Sequence, residues 1–197
     1  MDALDERTRL ILFHGSPLPV ASALAVDLRN VGMLRMREMG IKADNLRAAS
    51  IGPVLLREAG VSTASELRAL GFDALDLRDV SFASQAIACY GTADTVEAFV
   101  CSAADAVNVV GSSGCDLLCI TPERLLKCVA GEPSAARSVI SELRSNALSE
   151  VSFDTLLSTG IQTDQLAAVG YNLNSIVTLF SPTTEQLRII GVRTRLQ

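Results

Sequence analysis

Four arginines, Arg47, Arg57, Arg68 and Arg78, each stand directly after a leucine, at intervals of ten or eleven residues. A guanidinium presents a planar fork of donors that matches carboxylate or phosphate in pairs, so such a row suits an acidic protein partner. Glu58, Glu66, Asp76 and Asp79 lie among them and support a competing account, a solvated face of balanced charge in which each pair contributes little. Cysteines are the second reactive set, at 89, 101, 115, 119 and 128. Cys115 and Cys119 have the spacing of two ligands on one helical face, yet a zinc site needs about four ligands. The one histidine, His14, is distant in sequence, so these cysteines read as structural thiols and no metal or cofactor is expected. A serine or cysteine nucleophile would also have to use His14, in a proline-containing segment. Gly111–Gly114, GSSG, lacks the Lys-Ser/Thr ending of a phosphate loop. A non-enzymatic chain is expected, with a hydrolase built on His14 as a third class.

These residues must be held by something, and composition narrows what. Of 197 residues, 49 % are apolar but only 4 % aromatic, and tryptophan is absent. Small aliphatic side chains pack thin layers, which suits closely spaced helices better than a sheet rich in aromatic and β-branched residues. The net charge is −5, with the acidic excess spread over both halves. That balance argues against nucleic acid, whose binders carry a basic face or tail. An odd number of widely spaced cysteines fits a reducing compartment. The apolar stretch from Leu10 to Val26 is broken by His14, Gly15, Pro17 and Pro19, so it does not read as a membrane span. Asp2, Asp5 and Glu6 precede it where a signal peptide would carry positive charge. A soluble, cytoplasmic chain without membrane contact is expected.

A short sentence recurs along the chain. Small residues fall every eight to eleven positions, among them Gly40, Ser50, Gly60, Gly71, Ser81, Gly91, Gly131, Ser141, Gly160, Gly170, Ser181 and Gly191. An apolar residue follows in the clearest units (Ile41, Ile51, Val61, Phe72, Phe82, Ile161, Tyr171, Val192), and about five residues later comes a second anchor. Those anchors are Leu46, Leu56, Leu67, Leu77, Ile87, Leu166, Ile176 and Leu187. Asp44, Thr63, Asp73, Ser84, Thr163 and Asn172 stand where helix caps belong, Thr63 to Glu66 matches a capping box, and Thr121-Pro122 and Ser181-Pro182 each place a cap before proline. Each unit reads as cap, short helix, Gly stop and apolar residue. Helices this short hold only by stacking.

The expected fold is therefore all-α, an α-solenoid or superhelix of very short helices, with a compact irregular all-α bundle as the alternative. Alternate units pointing up and down would make hairpins of about twenty residues. Residues 1–30 would cap one end and 31–197 form the array, a single domain overall, with the register loosest from about 100 to 150.

Two resemblances follow from quoted residues. Leu56-Arg57-Glu58-Ala59-Gly60-Val61 through Leu77-Arg78-Asp79-Val80-Ser81-Phe82 resembles the LRxAGF-type helical repeats of scaffold-like proteins, over about 34–92 and again 155–192. It implies a protein–protein interaction scaffold, with Arg47, Arg57, Arg68 and Arg78 as the partner-binding row. More locally, Ala48–Gly71 is similar to a helix-hairpin-helix segment, which implies backbone contact to a nucleic-acid phosphate through Gly52, Pro53 and Val54. Here Pro53 brings no N–H, and Val54 stands at a commonly basic position.

Overall fold

The structure is a computed structural model that describes residues 32–34, 36–110, 115, 118–143 and 147–192. The capping segment expected at 1–30, His14 and the GSSG stretch lie outside the described residues. The chain divides into two compact units, Met1–Phe99 and Val100–Gln197. Among the described residues all regular structure is helical, so the fold is all-α.

The first unit carries α1 (Ala43–Ala48), α2 (Pro53–Glu58), α3 (Ala64–Ala69), the 3-10 helix η1 (Ala74–Arg78), α4 (Val80–Tyr90) and α5 (Thr92–Phe99). The second carries α6 (Ala103–Val109), α7 (Pro122–Cys128), α8 (Pro133–Glu142) and the 3-10 helix η2 (Ala147–Glu150). It continues with α9 (Phe153–Ser158), α10 (Thr163–Ala168), α11 (Leu173–Phe180) and α12 (Thr184–Ile189).

One unit of the pattern shows why the helices are so short. Gly60 takes φ +92°, a left-handed conformation that costs a Cβ-bearing residue free energy. The turn it makes lets Val61 N–H donate to Leu56 O at 2.9 Å and Gly60 N–H to Arg57 O at 3.1 Å. This pair of bonds satisfies the last carbonyls of α2 and brings Val61 against Leu56, and both side chains are fully buried. The same closure joins Ile51 N–H to Leu46 O at 2.8 Å and Tyr171 N–H to Leu166 O at 2.9 Å. At the other end, Thr63 Oγ1 accepts from Glu66 N–H and Glu66 Oε2 accepts from Thr63 N–H, the reciprocal cap expected from the sequence. Ile41, Ile51, Val61, Phe72 and Ile161, with Leu46, Leu56, Leu67, Leu77, Leu166 and Ile176, all lie in the core.

Several expectations are corrected. Ser81 and Ser141 stop nothing: they lie inside α4 and α8, which run on to 11 and 10 residues. Once α4 continues through Ser81 and Ser84, its helical period buries Ala83, Ala86 and Tyr90. Phe82 and Ile87 are left half-buried. Ser181 is a left-handed helix stop at φ +44° rather than a cap, and Thr183 caps α12. Asp44 and Thr163 fall inside the first turns of α1 and α10, after caps at Lys42 and Gln162.

Stacking follows a three-helix interval rather than hairpins of two. In the first unit α2 packs on α4 and α3 on α5. Ala43 N–H donates to Leu70 O at 2.8 Å, tying the start of α1 to the end of α3. In the second unit α6 packs on α8, α7 on α9 and η2 on α11. Gly131 N–H to Ser158 O at 2.8 Å and Thr163 N–H to Ile190 O at 2.9 Å repeat the tie, each across 27 residues. In the segment from 100 to 150, where the ten-residue pattern is loosest, the stacked helices α6 and α8 begin 30 residues apart, at Ala103 and Pro133, with α7 between them among the described residues. Each turn therefore covers apolar surface that a helix of two turns could not bury alone.

Candidate functional site

The arginine row is positioned by the repeat itself. Each of Arg47, Arg57 and Arg68 lies in the last turn of its helix, where the exposed carbonyls favour a cation. The three-helix interval then brings an aromatic ring under each one. The Arg47 guanidinium sits 5.1 Å from the Phe72 ring centroid, Arg57 5.3 Å from Tyr90 and Arg68 5.7 Å from Phe99. Their donors have acceptors within the chain as well. Arg47 forks onto Asp76 through Nε at 2.7 Å and Nη2 at 2.5 Å, and reaches Asp44 at 2.8 Å. The hydrogen bond to Asp76 is the main reason its pKa is raised. Arg57 donates to Ser62 O, and Arg68 to Phe99 O at 3.4 Å. These three guanidiniums close over the rings that fill the next turn. Arg78, at the end of η1, is exposed.

Rings and lids form one layer. Phe72 and Phe82 stack at 5.2 Å between centroids, and Phe82 meets Phe99 edge-on at 6.5 Å. Tyr90 Oη donates to Val61 O at 3.3 Å, and burial pushes its pKa up to about 12, so it is a neutral phenol throughout the physiological range.

The structure places Gly52, Pro53 and Val54 at the start of α2 in different surroundings. Gly52 is the cap residue, Pro53 is buried as the first helical residue, and Val54 is exposed. The Gln85 side-chain oxygen lies 2.8 Å from where a Cβ on Gly52 would stand.

A second surface lies in the other unit, and none of its residues is among the candidate binding residues singled out from the sequence. A groove of about 740 Å³ opens between the end of α8 and α11. Ile140, Leu143 and Tyr171 form its apolar wall, and Asn174, Ser175 and Thr178 give it amide and hydroxyl groups. None of its lining residues is charged. On the same helix Leu173, Val177 and Leu179 are 42 %, 43 % and 38 % exposed. Leu173 and Val177 are four apart and so neighbours on one face. The sequence signal was available: Leu173–Phe180 reads LNSIVTLF, with more apolar residues than one buried stripe uses.

Among the described residues there is no group of three or more His, Cys, Asp and Glu able to hold a metal ion, and no helix long and apolar enough to cross a membrane. Comparison with protein families, with curated proteins and with solved structures returns no match for the chain.

Proposed function

We propose that this protein is a non-enzymatic interaction scaffold, and that the groove beside α11 is where a protein partner docks. The observation that carries the reading is the uncharged groove itself, where Leu179 of α11, 38 % exposed, stands with Ile140, Leu143 and Tyr171. Such a surface gains free energy by being covered, and the hydroxyl and amide groups supply direction to the contact. The acidic-partner reading of the arginine row rests chiefly on Arg78, because Arg47, Arg57 and Arg68 already have acceptors and rings within the chain. A cytoplasmic setting goes with this reading, supported by the number and spacing of the cysteines.

The test is affinity capture from extract with and without nuclease treatment, comparing the wild-type chain with Thr178→Lys/Leu179→Glu on α11 and with Arg78→Glu. A protein held by the wild type and lost from the α11 variant supports the groove. One lost only from Arg78→Glu moves the site to the first unit. Retention that depends on nucleic acid and falls steeply with salt would instead favour the helix-hairpin-helix reading at Gly52.

A further inference from the structure

We infer that Cys101 and Cys128 are a redox pair, able to form a disulfide that clasps two successive turns of the second unit when a peroxide is the oxidant. The inference is independent of the docking surface and starts from the stacking interval. Cys101 immediately precedes Ser102, the cap of α6, and Cys128 is the last residue of α7. Thirty residues further on, the same two places are taken by Gly131, immediately before the first residue outside α8, and Ser158, the last residue of α9. There the two backbones are tied by the Gly131 N–H to Ser158 O bond of 2.8 Å. One such bond holds its two Cα atoms roughly 5–6.5 Å apart by ordinary backbone dimensions. A disulfide needs about 4.4–6.8 Å. The cysteines thus occupy a register in which the fold brings backbones to disulfide distance.

Direct contacts agree with this register. The Cys128 thiol donates to the carbonyl oxygen of Val100, the residue joined to Cys101, at 3.5 Å. Cys101 Sγ lies 3.4 Å from Asp105 Oδ2, which also accepts from Cys101 N–H at 3.4 Å. Forming the disulfide requires the Cys101 thiol to leave the Asp105 carboxylate, while the backbone bond to Asp105 keeps the loop in place. Accessibility divides the roles: Cys101 is exposed and Cys128 only partly so. Burial first of all, and among smaller causes the neighbouring Cys101 and Asp105, push the Cys128 thiol up, so the exposed Cys101 is assigned the first attack and Cys128 the resolving role.

The chemistry balances in two steps. The Cys101 thiolate attacks one peroxide oxygen, the O–O bond breaks, and a sulfenic acid forms with loss of hydroxide, which takes up a proton as water. The Cys128 sulfur then attacks the Cys101 sulfur, the S–O bond breaks, and the thiol proton leaves with the hydroxyl as a second water. Two thiols give up two electrons, and one peroxide takes them.

The test treats the full chain with stoichiometric hydrogen peroxide, followed by non-reducing digestion and mass mapping. The expected result is a monomer with one cross-link, Cys101 to Cys128, reversed by dithiothreitol. Its melting temperature should rise by about 5 °C or more, because the bond closes a loop of 27 residues in the unfolded chain. In Cys128→Ser, Cys101 should accumulate as a sulfenic acid that a dimedone probe captures. A cross-link to Cys115 or Cys119, a cross-link between chains, or a Cys101–Cys128 bond that leaves the melting temperature unchanged would each overturn the proposal. The wild-type map decides the matter even if a serine variant fails to fold.

Discussion

In the first unit the side chain that crosses from one turn to the next is an arginine; in the second it is a glutamate. Arg47 leaves the last turn of α1, covers Phe72 and forks onto Asp76 in η1. Glu123 leaves the first turn of α7 and reaches the capped start of α9. There it accepts from Ser152 N–H at 2.8 Å and Thr155 Oγ1 at 2.6 Å, with Lys127 alongside at 3.1 Å. In each case the charge sits at the helix end whose unpaired backbone groups favour it. The interval is shared and the fastening is not. The position after the anchor makes the same point: Arg47, Arg57, Arg68 and Arg78 in one unit, against Ala167, Val177 and Arg188 in the other. Burial of the anchors sets the stack, and the outer residue is left to vary. In the first unit it closes over rings; in the second it exposes an apolar face.

If the anchors are equivalent, Leu67→Ala and Leu166→Ala should each destabilise by about 2–5 kcal/mol in urea titrations. Both side chains are fully buried beside a left-handed glycine turn. A cost below about 1 kcal/mol at either one would break the equivalence of the two units.

Glu123 should matter next, and with a pH signature. Its hydrogen bonds, first from Thr155 and then from Ser152, hold its pKa down at about 2 from an ordinary 4.5. The folded-state pKa is depressed, so its contribution is complete above pH 4.5 and fades as the pH falls toward about 2. Glu123→Gln should lose about 1–2 kcal/mol at neutral pH and show a flatter loss of stability across that acid window. An unchanged acid profile would remove the glutamate from the comparison.

A double-mutant cycle on Arg47 and Asp76 measures the matching link in the first unit. The Arg47 and Asp76 side chains are 38 % and 11 % exposed. Screening at the exposed arginine should hold their coupling to about 1 kcal/mol despite the forked geometry. Arg57→Ala, which uncovers Tyr90, should cost about 0.5–1 kcal/mol. A coupling of zero would remove the Arg47–Asp76 pair from the first unit's fastening.

The smallest effects concern the turns. Ser50 holds φ +56° where most units place glycine, so Ser50→Gly should stabilise by roughly 0.5 kcal/mol. Gly52→Ala has an ordinary negative φ and meets only the mobile tip of Gln85. Thermal melts should show it within about 0.5 kcal/mol of wild type.

The local grammar of this protein was legible in its sequence, because each of its signals acts within a few residues. Thr63 with Glu66 caps α3, and Gly60 stops α2 and turns Val61 onto Leu56, whatever the rest of the chain does. The same reasoning misread Ser81, Ser141 and Ser181: serine caps, stops or passes through a helix according to its neighbours, and glycine carries the stronger instruction. The three-helix interval could not be read from the sequence. Which helix packs on which depends on the rotation accumulated over several turns, and no single unit encodes it. That interval placed Phe72 under Arg47 and Tyr90 under Arg57, so it decided what the arginine row does. The tertiary fold also brought the end of α8 beside α11 to form the groove, and Cys101 onto the register of Cys128. Caps, stops and anchors are short-range chemistry and belong to the sequence. The partners of these exposed and reactive side chains are long-range geometry, which only the stacked chain supplies.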